Sequence, residues 1–502
     1  MNKKKLKLFS VCLLMTILLT GCFGLTDSPV DNKENTESGS IEGFVYYDQN
    51  ANDYLVSGYE QTESFMIPQA NVKISIEGVS QVASTNQDGY FRIDGLKSST
   101  YNINIAVSNE QVITRQVTVY NDRTTKVGSR SVAEKEWTIL LYANAKSSDL
   151  TPAINRIVDD INYINNRNVN IVVLTGIDSS GSNNYSHYNV IKYASDTSGF
   201  RKVKEYGDIN MGTEAVLRDF VGWAHEEYPA SKKALFIVGH SNGWFISKPQ
   251  QNYIAYDESN EVGLETYEIG NALSGYNIDL LYLVACNSGT IETIMDMTTA
   301  RYILASASVG YLSSGNLTHI LQLIEENPTL TPRQYGEEIV QSYIQGFQGT
   351  PTTIALYDTD YINQFNTAMS EFADNINSLS YNEFKDLSNA WYDYNQTYPI
   401  YSNVYYHDLY DVLDNAIKRN INWELTNSAE NVKNVFSNLV LKSDYVPGTD
   451  DLEGVNYEGS QGLSIYLPSD LNWWSLYDYE HTDFANSTGW DNVADKYYDL
   501  FR

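Results

Sequence analysis

Two short runs decide the architecture: Ala234-Leu235-Phe236-Ile237-Val238-Gly239-His240-Ser241-Asn242-Gly243-Trp244 and Leu280-Leu281-Tyr282-Leu283-Val284-Ala285-Cys286-Asn287-Ser288-Gly289. Each opens on consecutive apolar residues and then breaks into small and polar ones. A strand with one wet face alternates apolar and polar residues, so an unbroken apolar run suits a strand buried on both faces. Outward from these runs the pattern repeats. Trp137–Tyr142 and Val169–Leu174 are runs of the same kind. Between them Thr151-Pro152 starts a helix whose Ile154, Ile157, Val158, Ile161 and Ile164 share one face. Further helices are expected over Thr213–Tyr228 and near Tyr267–Leu273. Strands alternating with amphipathic helices predict an α/β fold with a mostly parallel sheet covered on both faces. In such sheets the reactive groups lie beyond the carboxyl ends of the strands, where His240 and Cys286 stand.

A thiol becomes a nucleophile as its thiolate, and a neighbouring histidine can take the proton and later give it to a leaving amine. A helix expected from Thr290 to Ala300 would aim its N-terminus at the sulfur and favour that thiolate. The backbone N–H groups of Ser241 and Cys286 are candidates to meet an oxyanion. Gly239-His240-Ser241-Asn242-Gly243 also satisfies G-x-S-x-G, a serine-nucleophile motif. That motif needs a helix directly after the serine, and Trp244–Gln250, with Pro249, carries no helical apolar face. A Ser241 esterase is therefore the third reading.

The chain has 502 residues, 42% apolar and 19% charged, which suits packed domains rather than disorder. Its 33 Lys and Arg stand against 63 Asp and Glu, a net charge of −30 that repels phosphate backbones and excludes nucleic acid as a partner. Cys12, Cys22 and Cys286 are the three cysteines, too few for a disulfide scaffold or a Cys-rich metal site. No spacing among the histidines suggests metal ligands, so no metal is expected. Residues 1–21 combine Lys3, Lys4, Lys5 and Lys7 with an apolar run and end in Leu19-Thr20-Gly21-Cys22. This resembles a lipoprotein signal peptide, which implies cleavage before Cys22, lipid on its sulfur and membrane attachment. Residues 22–40 read as a flexible tether. Residues 41–128 alternate apolar and polar positions between turns such as Asp88-Gly89 and Asp94-Gly95, which predicts a small all-β sandwich. The run Thr85–Phe91, then Gly95-Leu96 and Tyr101, resembles the carboxypeptidase regulatory-like β-sandwich, and no catalytic set occurs in it.

From Trp137 to about Asp491 the chain resembles the clostripain-like cysteine peptidases, relatives of caspases, legumains and gingipains. The matching pieces come in order: Trp137–Tyr142 with Asp149-Leu150, Asp208–Gly212 with Leu217, Phe220 and Trp223, then His240 and Asn242-Gly243-Trp244. Asp257, Ala285-Cys286 with Gly289 and Ile291-Glu292, Ala305–Ala307, and Gln461–Pro468 complete the set. The resemblance implies a caspase-like α/β/α sandwich over 134–360, a C-terminal subdomain over 361–502, and endopeptidase activity through a thioester. His240 becomes the general base and acid, Cys286 the nucleophile, and the N–H groups of Ser241 and Cys286 the oxyanion hole. Three departures matter. Gly239 and Ser241 replace the usual aspartate and glycine around the histidine. Val284 stands where the family commonly has an acid at the base of its specificity pocket, and valine cannot pair with a substrate Arg or Lys. An apolar residue before the scissile bond is therefore expected, unless Asp257 reaches in. Some relatives need calcium, but no D-x-D-x-D-G loop occurs here, so calcium rests on the resemblance alone. The expected protein is an endopeptidase of the bacterial cell envelope, lipid-anchored and facing outside the cytoplasm, with proteins or peptides as substrates. The alternative is a catalytically silent peptidase fold acting as a binding or adhesion module.

Overall fold

The computed structural model describes residues 38–500 apart from 49–52, 58–65, 109–110, 120, 122–123, 128–134, 148, 165–167, 179–187, 197–198, 244–252, 398–405, 449–456, 469–478 and 481. The signal segment, Cys22 and nearly all of the tether lie outside the described residues. So do the expected domain boundary at 128–134 and the stretch Trp244–Gln250.

The N-terminal part forms two sheets. In one, Gly39–Asp48 pairs antiparallel with Asp53–Ser57, Met66–Pro68 and Tyr90–Leu96, and parallel with Thr124–Lys126. In the other, Val82–Ser84, Lys73–Ile76, Ser99–Ala106 and Val112–Val119 lie side by side. Alternate residues of the two, among them Ile41, Val45, Phe91, Ile74, Ile103 and Ile105, meet in one core. Thr124–Lys126 rests against the carboxyl end of the helix Glu214–Glu227.

The rest is built on a sheet of nine strands: β1 (Lys135–Ala145), β2 (Val169–Asp178), β3 (Tyr188–Asp196), β4 (Gly199–Glu205), β5 (Ala230–Val238), β6 (Ile278–Val284), β7 (Ala300–Ala305), β8 (Thr352–Asp358) and β9 (Val440–Val446). Their order across the sheet is β4-β3-β2-β1-β5-β6-β7-β8-β9. The five central strands are parallel; β3 on one side and β8 on the other run against them, and the outermost β4 and β9 pair antiparallel with β3 and β8 and so run with the central five. The chain first builds outward from β1 and then returns to add β5 on the other side. A crevice at the carboxyl ends of β1 and β5 follows from that reversal.

The unbroken apolar runs have a direct explanation. Leu235 and Ile237 enter the core on one face of the sheet, and Ala234, Phe236 and Val238 the core on the other. The second face is covered by α1 (Thr151–Ile161) and the helices Ser314–Glu326 and Pro332–Gly346. The first face is covered by α2 (Glu214–Glu227), α3 (Thr266–Leu273) and later helices such as Ile362–Asn377, Trp423–Leu439 and Trp490–Tyr498. The result is the α/β/α layering the sequence predicts. Residues beyond 361 share this core and supply β9, so they are continuous with the main body. The strand Ser464–Tyr466 reaches the Cys286 loop, where Ser464 N–H donates to Gly289 C=O at 3.0 Å.

Candidate active site

β5 and β6 are adjacent and parallel, with Val238 opposite Val284. Their ladder closes as Gly239 N–H donates to Val284 C=O at 3.4 Å. Two residues beyond that register, His240 leaves one strand and Cys286 the other. Neighbouring strands lie about 4.8 Å apart, and opposed positions of a parallel pair share a face. The imidazole and the thiol, 46 positions apart in sequence, thus start from one spot on the sheet edge. Close packing fixes the loops. A Cβ on Gly239 would stand 2.5 Å from Ala255 Cα and 3.2 Å from Asn144 O, so no other residue fits there. Asn287, directly after Cys286, takes the left-handed conformation (φ 49°) that turns the chain away from the strand.

The imidazole and the thiol have distinct surroundings. His240 is part-exposed, and its Nε2 lies 3.2 Å from both carboxylate oxygens of Asp149, on the loop between β1 and α1. Cys286 is half-buried, with Sγ 3.8 Å from Gly310 C=O. Burial pushes its thiol pKa up; the contact with Gly310 works against this and the Asp149 carboxylate adds to it. The helix expected over Thr290–Ala300 is shorter: α4 spans Ile291–Asp296. Thr290 Oγ1 accepts the Thr293 N–H at 3.1 Å, and β7 begins at Ala300. So short a helix adds little field, and burial raises the thiol pKa rather than the helix lowering it as the sequence suggests.

The Clostripain family model matches residues 102–497. This chain belongs to the clostripain family. It is a cysteine-protease homologue and a hydrolase by that membership. Among solved structures it is similar to a secreted C11 cysteine protease from Bacteroides thetaiotaomicron in complex with an irreversible peptide inhibitor. The two are 15% identical, with a TM-score of 0.53, and the match covers 71% of this chain and 100% of that one. It is also similar to an inactive zymogen C11 protease from Parabacteroides distasonis, at 17% identity and a TM-score of 0.54, covering 71% of this chain and 99% of that one. No curated protein matches the chain. The structural likenesses support the shared fold.

Within this clostripain fold Asp257 is not a free pocket acid. It is fully buried, and its carboxylate takes Lys146 Nζ at 2.8 Å, Met211 N–H at 2.8 Å and the hydroxyl of Ser259 at 2.7 Å. These donors hold its pKa below the usual carboxylate range although burial works the other way. Lys146, itself fully buried, also donates to Asp208 at 2.6 Å and to Ile209 C=O at 2.7 Å. A lysine following a strand reads as a surface residue in sequence; here it ties three segments of the site edge together. The acid of that loop whose charge interacts with His240 is Glu258. Its pKa is raised by burial, lowered by His240 and raised again by Asp149 and Asp257. Sequence reasoning passed over Lys146, Asp149 and Glu258, although Asp149 and Asp257 stood in the matched motifs.

Val284 is 7% exposed and finishes the core on the α1 face of the sheet. Burial raises the pKa of the Tyr253 and Tyr311 hydroxyls, and Cys286 contributes to both rises. Ser241 forms an antiparallel bridge with Ile254, and its Oγ accepts the Gly243 N–H at 3.0 Å. A residue bridged in this way is not the sharp turn into a helix that a serine nucleophile occupies. Among the described residues no group of three or more His, Cys, Asp or Glu could hold a metal ion.

Proposed function

We propose that this clostripain-family chain is an endopeptidase in which Cys286 is the nucleophile and His240 the general base and acid. The observation that carries the reading is the shared register of these residues beyond β5 and β6. As Sγ attacks the scissile carbonyl carbon, the thiol proton passes to the imidazole and the carbonyl electron pair moves onto oxygen. The N–H groups of Ser241 and Cys286 are the donors we assign to that oxyanion. Collapse breaks the C–N bond, His240 gives its proton to the leaving amine, and a thioester remains. Water, deprotonated by His240, then releases the acid and restores the thiol.

We infer an apolar residue before the scissile bond, because Val284 offers no charge and Asp257 is committed to Lys146. We further propose that Cys22 carries lipid and holds the enzyme on the bacterial cell envelope, facing outside the cytoplasm. The silent alternative draws on two features, the contact of His240 with Asp149 and the burial that raises the Cys286 thiol pKa. Residues 130–502 and a Cys286→Ala control, incubated with a mixed peptide library and read by mass spectrometry, decide between them. Cleavage by the wild type alone, with apolar residues before the cuts, is expected. Equal silence from both proteins, with calcium present, overturns the peptidase reading, and cuts after Lys or Arg overturn the specificity.

A further inference from the structure

Asp149 Oδ1 and Oδ2 both lie 3.2 Å from His240 Nε2. That contact leaves Nδ1 as the ring nitrogen free to serve the sulfur. We propose that Asp149 is a positioning residue, whose carboxylate fixes the tautomer and rotation of His240 so that Nδ1 addresses Cys286. The inference rests on the peptidase reading above.

The loop that carries Asp149 is built to hold it still. At its start the Lys146 ammonium is anchored in the buried cluster with Asp208, Asp257 and Ile209 C=O. At its end Thr151 Oγ1 donates to Ala145 C=O at 2.6 Å and Thr151 N–H donates to Ser147 C=O at 3.1 Å. Partial burial raises the pKa of Asp149, but hydrogen bonding from Ser147 and the charge and hydrogen bond of His240 outweigh it and lower the net value. The carboxylate is thus ionised wherever the enzyme works near neutrality. β1 and β5, which deliver Asp149 and His240, are the neighbours at which the sheet order reverses. The partnership therefore follows from the topology rather than from a chance surface approach.

A carboxylate here has two effects that agree. It stabilises the imidazolium that forms when Nδ1 takes the thiol proton, and it disfavours a thiolate at rest. Both place the proton transfer within the attack on substrate, from Sγ to Nδ1 as the S–C bond forms, while Asp149 remains ionised throughout.

Chemical rescue separates this role from a structural one. Asp149→Ala is expected to lower kcat/KM about 10- to 100-fold, less than the roughly 10⁴-fold cost of losing a buried triad aspartate, because water screens an exposed pair. KM should hold within about twofold, since the lost interaction belongs to the transition state. The Asp149 side chain is 62% exposed, so formate can enter the vacated space and should restore part of the activity, whereas chloride should not. Asp149→Asn, which keeps the shape without the charge, should show the same loss and no rescue. Asp149→Ala as active as the wild type, or inactive without any response to formate while Asp149→Asn keeps full activity, overturns the proposal. Wild-type silence matching Cys286→Ala overturns the peptidase reading together with it, and so is told apart from failure of Asp149 alone.

Discussion

Replacing Lys146 by methionine tests whether the buried cluster holds the site edge. The ammonium is fully buried and meets Asp257 at 2.8 Å, Asp208 at 2.6 Å, Ile209 C=O at 2.7 Å and Ser259 Oγ at 3.0 Å. Methionine fills similar volume and removes every one of these bonds. Breaking a buried pair by deleting one partner costs about 3–5 kcal/mol, because a charge is left uncompensated. Asp257 would keep the N–H groups of Met211 and Ser259 and the hydroxyl of Ser259, which places the loss near the lower end, about 3 kcal/mol. With an unfolding entropy of about 2.1 cal/mol/K per residue over a body of roughly 370 residues, that corresponds to a fall in Tm of about 4 °C, measurable by calorimetry or circular dichroism. The effect must depend on pH. The folded pKa of Asp257 is depressed, so its contribution is complete above the unfolded value near 3.9 and disappears as pH falls through the folded one. The gap between wild type and Lys146→Met should therefore narrow as pH falls below about 3.9, through the lowered folded value. The double variant Lys146→Met with Asp257→Leu should be less destabilised than the sum of the singles by more than about 1.5 kcal/mol. A Tm within about 2 °C of the wild type at pH 7, or additive singles, would refute the cluster as a working lock.

Two further substitutions probe the site from other directions. Gly239→Ala should destabilise the fold by more than about 2 kcal/mol and abolish cleavage, since its Cβ would stand 2.5 Å from Ala255 Cα; a melt and an activity assay matching the wild type would refute the packing argument. Glu292 is almost fully buried; Tyr466 N–H and the Tyr479 hydroxyl donate to its Oε1, and burial pushes its pKa up to about 7. The unfolded chain ionises near 4.3 while the folded one keeps its proton, so folding loses stability as pH rises between these values. Glu292→Gln should therefore raise Tm at pH 8 and leave it nearly unchanged at pH 4; a drop at pH 8 would contradict this.

The parts of this molecule that the sequence reveals are those where local pattern and tertiary role coincide. Phe236 and Ile237 must face opposite cores, and an unbroken apolar run is the direct signature of that demand. His240 and Cys286 follow such runs, which made their shared register beyond β5 and β6 predictable. What stayed hidden depends on long-range partners. Asp149 stands in a loop just before a helix start; its relation to His240, 91 positions away, comes only from the neighbouring placement of β1 and β5. Val440–Val446 follows a helix and contains Lys442, Ser443 and Asp444, so its edge-strand role is masked by polar residues suited to an edge. α4 ends early because Ala300 must start β7 beside β6.

The resting state of Cys286 has a consequence for how long such a protein survives. Peroxides and other oxidants attack thiolates far faster than thiols, and the first product, a sulfenic acid, ends in irreversible forms where no partner thiol is at hand. On the proposed mechanism, a sulfur whose pKa is raised by burial and by the Asp149 carboxylate, and which gives up its proton only when a peptide carbonyl is in place, would be shielded from that fate. Durability in an oxidising medium and slow reaction with small electrophiles would then be two expressions of one arrangement.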